Sequence, residues 1–285
     1  MIGTVHVVGA SGRSGSAVAR AVLVAGGDVV PVVRDGMRWT TTGIGRTPRI
    51  VDLRDKIGLA AVLADAEHVV SCAHARHTGA ILAAAPSRAR LVLLGSTRRF
   101  TRWPDAHGSG VVAGEAALMT SGRPGIMLHP TMIYGARGED NVQRLARLLR
   151  RLPLVPLPDG GRALVQPIYQ DDVTQCVLAA LAVEWREPQA MVIAGLDPLP
   201  YAAFVRLVAH AAGLKPPKVV SFPSGILCAA APLTRLIPGL PTVRTAEIRR
   251  LLEDKAFSIE PMVRMLGVRP LGLQEGLARI WPAVT

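Results

Sequence analysis

Short apolar runs alternate with segments of helical period along the first half of the chain. Thr4–Gly9 is apolar almost throughout, as a strand buried on both faces is, and Ser16–Ala25 follows with a period near 3.6 until Gly26-Gly27 closes it as a C-cap. The same alternation predicts strands at Val29–Val33, Arg49–Asp52, His68–Cys72, Leu91–Gly95 and Gly125–His129. Helices over Lys56–Ala64, Thr78–Ala85 and Val112–Thr120 fill the crossovers. Strand–helix–strand repetition of this kind predicts an α/β fold built on a doubly wound parallel sheet. Past Pro130 the pattern changes. It reads as an arginine-rich helix over Val142–Arg151, a proline-rich loop LPLVPLPDGG, a short strand near Gln166–Ile168, and a helix opening at Asp171-Asp172, where acids suit the positive helix end. A last strand is expected at Met191–Ala194. Pro198–Thr285 reads as mostly helical, cut short by prolines at 216, 217, 223, 232, 238, 241, 261 and 270. The expected organisation is a sheet domain over residues 1–135, to which 162–194 returns, and a smaller, mostly helical substrate-binding part over 136–285.

Composition adds limits. A chain of 285 residues with 49% hydrophobic content buries a substantial core. Its three cysteines, Cys72, Cys176 and Cys228, are odd in number and far apart, which predicts no disulfide framework and a reducing, cytoplasmic setting. Gly9–Gly15 interrupts the early apolar run before it reaches the length of a signal peptide. The most apolar late segment, residues 222–240, holds three prolines and an arginine in fewer than the ~20 apolar residues a bilayer requires. It reads as a helix lining a pocket in preference to a membrane-surface contact. The net charge of +12 favours an anionic partner through its long-range field. Nucleic acid fits poorly, because only 4% of residues are aromatic and the arginines are scattered.

The chemistry begins at residues 8–23, VGASGRSGSAVARAVL. A strand ending in a glycine-rich turn that opens a helix aims backbone N–H groups and the positive end of the helix dipole at an anion. Gly9 permits the tight turn, Gly12 lets backbone approach a phosphate, and Gly15 lets helix pack closely on strand. Ser11, Arg13 and Ser14 stand between them.

The GxxGxxG spacing resembles that of the short-chain dehydrogenase/reductase superfamily, in particular its extended or atypical branch of NAD-dependent epimerase/dehydratases. Further segments carry the resemblance over nearly the whole chain. Asp52-Leu53 looks like the family's acidic adenine contact, and Gly95-Ser96-Thr97 like its active-site serine/threonine segment. His129-PTMIYG-Ala136 is similar to the RPxxxYG turn, Gln166-PIYQDDV to the return to the sheet, and residues 252–277 to the closing helices. The resemblance implies a Rossmann domain binding a nicotinamide dinucleotide, with Ala73 and Pro130 added to the cofactor-binding set. Its substrates are small molecules, sugar nucleotides among them.

Selectivity between dinucleotides is set where the second strand ends. There the chain reads Val32-Val33-Arg34: a guanidinium that can fork onto a 2′-phosphate, with Arg13 able to reach the same group. Asp35, next in sequence, would suit a ribose instead. NADP(H) is favoured over NAD(H).

The family's usual Tyr-x-x-x-Lys pair, in which the lysine lowers the tyrosine pKa, is missing. Tyr134, Tyr169 and Tyr201 are followed four residues later by Gly138, Val173 and Val205. Alignment through Glu115 puts His107 and Val111 where tyrosine and lysine would stand. Candidate replacements are His107 or Tyr134 as proton carrier and Ser96 or Thr97 as orienting hydroxyl. His107 is expected in the polar loop Asp105–Gly110, and His129 stands where the family often has arginine. Cys72-x-His74-x-x-His77 has metal-like spacing but no evident fourth ligand, so no metal is expected. A G-x-S-x-G hydrolase elbow is absent from the sequence. The alternatives are an NADP(H)-dependent oxidoreductase or epimerase-like enzyme acting on a carbonyl or hydroxyl compound, and a non-catalytic NAD(P)H-binding sensor or accessory subunit.

Overall fold

The computed structural model describes residues 2–135, 141–152, 154–232 and 245–282. Its first half alternates β1 (Thr4–Val8), α1 (Arg13–Val24), β2 (Asp28–Val33), α2 (Gly36–Thr40), β3 (Arg49–Ile50), α3 (Lys56–Leu63), β4 (His68–Ser71), α4 (Thr78–Ala84), β5 (Arg90–Leu94), α5 (Ala106–Ser121) and β6 (Gly125–Pro130). The second half continues with β7 (Ile133–Tyr134), α6 (Asn141–Leu149), β8 (Leu154–Pro158), β9 (Leu164–Val165), β10 (Ile168–Tyr169), α7 (Gln170–Ala182), β11 (Pro188–Ile193), β12 (Leu199–Pro200), α8 (Tyr201–Ala211), β13 (Lys218–Phe222), α9 (Ser224–Ala230), α10 (Thr245–Arg250), α11 (Glu260–Leu266) and α12 (Leu273–Ile280).

Seven strands form one parallel sheet in the order β11-β6-β5-β4-β1-β2-β3. The order reverses between β1 and β4, so the crevice outside their carboxyl ends is where such a sheet receives a ligand. Apolar side chains fill both faces. Val18 and Val22 of α1 pack with Val173 and Val177 of α7 on one, and Leu59, Leu63 and Ile81 of α3 and α4 on the other. Both faces being covered explains why the strands read as apolar runs and not as alternating patterns.

Three differences from the sequence reading have physical causes. Helix α5 starts at Ala106, six residues before the expected Val112, because the Asp105 carboxylate caps it by accepting from the Gly108 N–H at 2.7 Å. His107 therefore lies in the first turn of a helix and not in a loop. Its glycines are there for close approach: a Cβ at Gly110 would stand 2.8 Å from His74 Cε1, and one at Gly114 would meet the Ala75 carbonyl.

Residues 154–158 form strand β8, paired in parallel with β13, where a loop and a helical stretch were expected. Val155 and Leu157 are buried between exposed Leu154 and Pro156, a period-2 strand that the prolines disguise. Helix α9 buries none of its side chains and leaves Ile226 55% exposed, so the apolar segment at 222–240 is not the pocket-lining helix expected of it over its described part; residues 233–240 lie outside the described residues. Among the described residues no helix is long and apolar enough to cross a membrane.

Candidate active site

The glycine turn sits at the exit of β1. Gly9 has φ +78°, and a Cβ there would come 2.9 Å from Ala73 N, in the backbone that leaves β4. Gly15 is buried under the turn: a Cβ would collide with the Gly9 carbonyl and come 2.8 Å from Ala10 Cα. Gly12 is the N-cap of α1 and has only the Gly9 carbonyl near, at 3.2 Å from a notional Cβ. Among the described residues no side chain caps α1 and no acid stands in its first turn, whereas Asp35, Asp55 and Asp105 cap α2, α3 and α5. The dipole end of α1 is thus left for an anion from outside, and a dinucleotide's pyrophosphate fits it. Ser14 turns aside to donate to Gln170 Oε1 at 3.4 Å, tying the turn to α7, while Ser11 stays half-buried and Arg13 exposed.

At the exit of β2, Arg34 is exposed and the Asp35 carboxylate accepts from the Arg38 N–H at 3.2 Å as the cap of α2. Asp52 follows the short β3, and Arg54 grips it with Nη2 2.8 Å from Oδ2. That partner, assisted by the Arg54 backbone and by Arg34, holds the Asp52 carboxyl well below the usual carboxylate range. Leu53 is half-buried beside it. Arg54 was missed as a partner of Asp52, although two residues of separation in a turn is the signal for such a pair.

At the exit of β5, Ser96 and Thr97 diverge. The Thr97 hydroxyl is buried and donates to the Pro130 carbonyl at 3.3 Å, which ties β5 to β6 and leaves the hydroxyl no proton for a substrate oxygen. Pro130 is itself buried, and its oxygen is taken up by that bond. Ser96 Oγ accepts from the Arg98 N–H at 3.2 Å, which leaves its O–H to donate. Behind it lies a charge cluster that sequence reasoning missed. His129 Nδ1 accepts the Ser96 backbone N–H at 3.1 Å, and the Glu115 carboxylate lies 2.8 Å from His129 Nε2 and 2.7 Å from Arg99 Nε. The accepting Nδ1 fixes the neutral tautomer with its proton on Nε2, facing Glu115. Burial, then Arg99, pushes His129 down to about 4; burial raises Glu115, opposed by Arg99.

The His107 ring meets the His74 ring edge-on, with centroids 4.3 Å apart. His74 leaves β4 and accepts the Arg76 N–H on Nδ1 at 3.1 Å. Burial and then His107 depress His74 to about 4; burial and then Arg98 lower His107, with Asp105 opposing. Val111, at the position of the missing lysine, is buried against Leu93 and Met127 and brings no charge. The cation that acts on His107 is Arg98, held to Asp105 at 2.9 Å.

Tyr134 is corrected outright as a proton carrier. It is fully buried in the cluster of Val142, Phe204 and Leu277, its ring T-shaped on Tyr169 at 5.4 Å, and burial raises its pKa far from neutrality. Burial likewise pushes the Cys72 thiol up to about 12, and among the described residues no three His, Cys, Asp or Glu side chains gather to hold a metal.

A cavity of about 300 Å³ opens between the turn Thr97–Phe100 and the segment 250–257. Phe100 and Phe257 tilt together in its wall at 5.6 Å. The segment is anchored from the sheet side, where Gln166 accepts the Phe257 N–H at 2.8 Å and donates to the Phe257 carbonyl at 3.1 Å; further along the chain, Asp172 accepts the Leu271 N–H at 2.9 Å. These two residues lie in the stretch read as the return to the sheet.

No protein-family model matches the chain, and no curated protein matches it in sequence. Its fold is shared with solved structures of low identity. The crystal structure of gox2253 is 18% identical, with 98% of this chain and 96% of that one aligned at a TM-score of 0.73. UDP-glucuronic acid 4-epimerase from Bacillus cereus, solved with UDP-glucuronic acid and NAD, is 16% identical, with 98% of each chain aligned at 0.73. The NADPH-dependent quinone oxidoreductase of Escherichia coli, solved with NADPH, is 15% identical, with 97% of this chain and 99% of that one aligned at 0.75. The doubly wound sheet and the C-terminal part together therefore have the fold of these structures, the epimerase and the quinone oxidoreductase among them.

Proposed function

We propose that the chain is an oxidoreductase of small carbonyl or hydroxyl compounds that uses a nicotinamide dinucleotide, with NADP(H) preferred. The observation that carries the reading is the uncapped α1 cradle at the sheet's switch point, with Ser96 at the exit of β5 and His107, in the first turn of α5, set against His74 at the exit of β4. The NAD and NADPH in the neighbours' structures support the cofactor class. Gly9, Gly12 and Gly15 with the first turn of α1 would hold the pyrophosphate, with Ala73, whose backbone lies against Gly9, beside it; Asp52 and Leu53, past the end of β3, would meet the adenine end. The preference for NADP(H) rests on Arg34, since Asp35 is occupied as a helix cap.

When bound, the nicotinamide exchanges a hydride with the substrate carbon. The chain's share is the proton. Ser96 donates its O–H to the substrate oxygen. His107, kept neutral near pH 7 by burial and Arg98, takes the hydroxyl proton on oxidation and returns it on reduction. Arg98 acts on His107 as the family's lysine acts on tyrosine, by favouring loss of the proton.

The test is isotopic. Protein is incubated with NADPH deuterated on one or the other face of C4 and a metabolite extract, and products are searched by mass spectrometry. Label delivered from one face only supports the enzyme and identifies its substrate. NADPH binding without transfer of label replaces it with the sensor or accessory role, which the buried Val111 in the lysine position favours.

A further inference from the structure

The two-stranded sheet β8–β13 carries an inference that does not depend on the dinucleotide site. Its strands run parallel, with Lys218 opposite Leu154, Val220 opposite Pro156 and Phe222 opposite Pro158. One face belongs to the core, where Val155, Leu157 and Val219 pack with Leu149 of α6 and Val205 of α8. Strand alternation turns the residues between them the other way, and a sheet face that meets water normally carries polar side chains. This one carries exposed Pro156, Leu154 at 48% exposure, Val220 at 37% and Phe222 at 39%, and α9, which follows directly, adds Ile226. Apolar side chains gathered on a surface in this way mark a place of interaction.

Charge narrows the partner. Because β8 and β13 are parallel, the residues that lead into them lie at the same end. These include Arg150 before β8, Lys215 before β13 and Lys218 at its first position, all three exposed. The sequence holds no acid from Asn141 to Pro158 and none from Pro198 to Ala246. The acids that border these stretches face cations: Asp159, past the far end of β8, lies 3.7 Å from Arg162, and Glu247 lies 3.7 Å from Arg144.

We propose that this face docks the protein on an anionic membrane surface. Leu154, Val220, Phe222 and Ile226 enter the boundary between headgroups and acyl chains, and Arg150, Lys215 and Lys218 meet the lipid phosphates. An apolar face rimmed by cations, with no acid in the strands or in α9 to repel the headgroups, is the pattern that binds in such an interface. The lysine stems lengthen the apolar contact while their ammonium groups stay at phosphate level. Docking is peripheral, since among the described residues no helix can cross the bilayer. The net charge of +12 adds long-range attraction to the same surface.

The experiment is co-sedimentation of the full chain with vesicles of phosphatidylcholine alone and of phosphatidylcholine mixed with phosphatidylglycerol. The expected result is binding to the mixed vesicles only, reduced by salt at about 0.5 M, where charges are screened beyond a few ångströms. Two double variants examine the face: Val220→Ser with Phe222→Ser removes apolar area, and Lys215→Glu with Lys218→Glu reverses charge. Each is expected to weaken binding by roughly tenfold or more. Arg88→Glu with Arg90→Glu makes the same charge change on the exposed β5 end of the large sheet and is expected to weaken it much less. All the substituted residues except Val220 and Phe222 are exposed cations, and melting curves report whether each variant is folded. Equal losses in the two charge variants would mean that net charge alone binds, and overturn the inference. So would equal binding to both kinds of vesicle, binding that Val220→Ser with Phe222→Ser leaves intact, or no binding at all. Sedimentation velocity without lipid detects the rival occupant: a dimer that the serine variant dissociates assigns the face to a second copy of the chain and overturns the membrane reading.

Discussion

His129 Nδ1 accepts the backbone N–H of Ser96 at 3.1 Å, so a buried imidazole on β6 fixes the hydroxyl-bearing turn at the exit of β5. The bond requires His129 to be neutral, and burial with Arg99 holds it to about 4 against an ordinary 6.5. Between those values the unfolded chain carries a proton that the folded chain refuses. Stability present above pH 6.5 is therefore lost as pH falls toward 4, by on the order of 3 kcal/mol from this group. His6 and His74 are lowered by burial and act in the same sense, while Glu115, raised by burial, opposes them. His129→Gln keeps an oxygen that accepts from Ser96 but cannot be protonated. Its Tm plotted against pH is expected to fall less steeply on the acid side than that of wild type; parallel curves would show that His129 is charged in the fold.

Gly12 and Gly15 separate binding from folding. A Cβ at residue 15 meets backbone on two sides, the Gly9 carbonyl and Ala10 Cα, and overpacking of that kind costs about 1–3 kcal/mol. A Cβ at residue 12 meets one carbonyl at 3.2 Å and otherwise occupies the space a phosphate needs. Gly15→Ala is expected to lower Tm and abolish dinucleotide binding, and Gly12→Ala to abolish binding with Tm nearly unchanged. Wild-type NADPH affinity in Gly12→Ala would detach the turn from the phosphate role.

The sheet was legible because a strand covered on both faces leaves an uninterrupted apolar run, and Thr4–Val8, His68–Ser71 and Arg90–Leu94 end within a residue or two of the expected positions. Elements marked by proline and glycine were not. Pro156 and Pro158 hide the alternation of β8, and Gly108 and Gly110 make the first turn of α5 read as a loop. The glycine turn was legible for a related reason: a tight exit from β1 and close packing of α1 demand glycine at particular spacings. The Arg99–Glu115–His129 cluster and the cavity cations come from segments far apart in sequence, and only folding brings Glu253 to Thr101 and Arg250 to Asp105. Tyr134 shows the converse error, since a tyrosine in a family turn was weighed by its chemistry, whereas Gly276 of α12 closes over its hydroxyl.

The proposed preference for NADP(H) rests on Arg34. With Asp35 engaged at the cap of α2, the exposed guanidinium is the charge offered to a 2′-phosphate at the end of β2. Arg34→Ala should weaken NADPH by roughly tenfold or more, the worth of one or two charge-assisted hydrogen bonds, and leave NADH nearly unchanged. Fluorescence titration with both cofactors measures the ratio. Equal losses would remove the reason for preferring NADP(H).

The proton-carrying role proposed for His107 predicts a pH dependence. Burial and Arg98 place its pKa below 6.5, with Asp105 pulling the other way. A base works while neutral, so oxidation should hold its rate as pH drops through 6.5 and fail only below the lowered pKa. Reduction needs the protonated ring and should accelerate over that same acid range. His107→Gln preserves size and polarity but carries no titrating proton. Turnover is expected to fall by about 10²–10⁴ with NADPH affinity and Tm retained, and the acid limb should vanish from both directions. If the variant instead loses rate uniformly and keeps the wild-type limb, the proton travels by another group. His74, edge-on to the ring at 4.3 Å and held to about 4, is then the next to substitute.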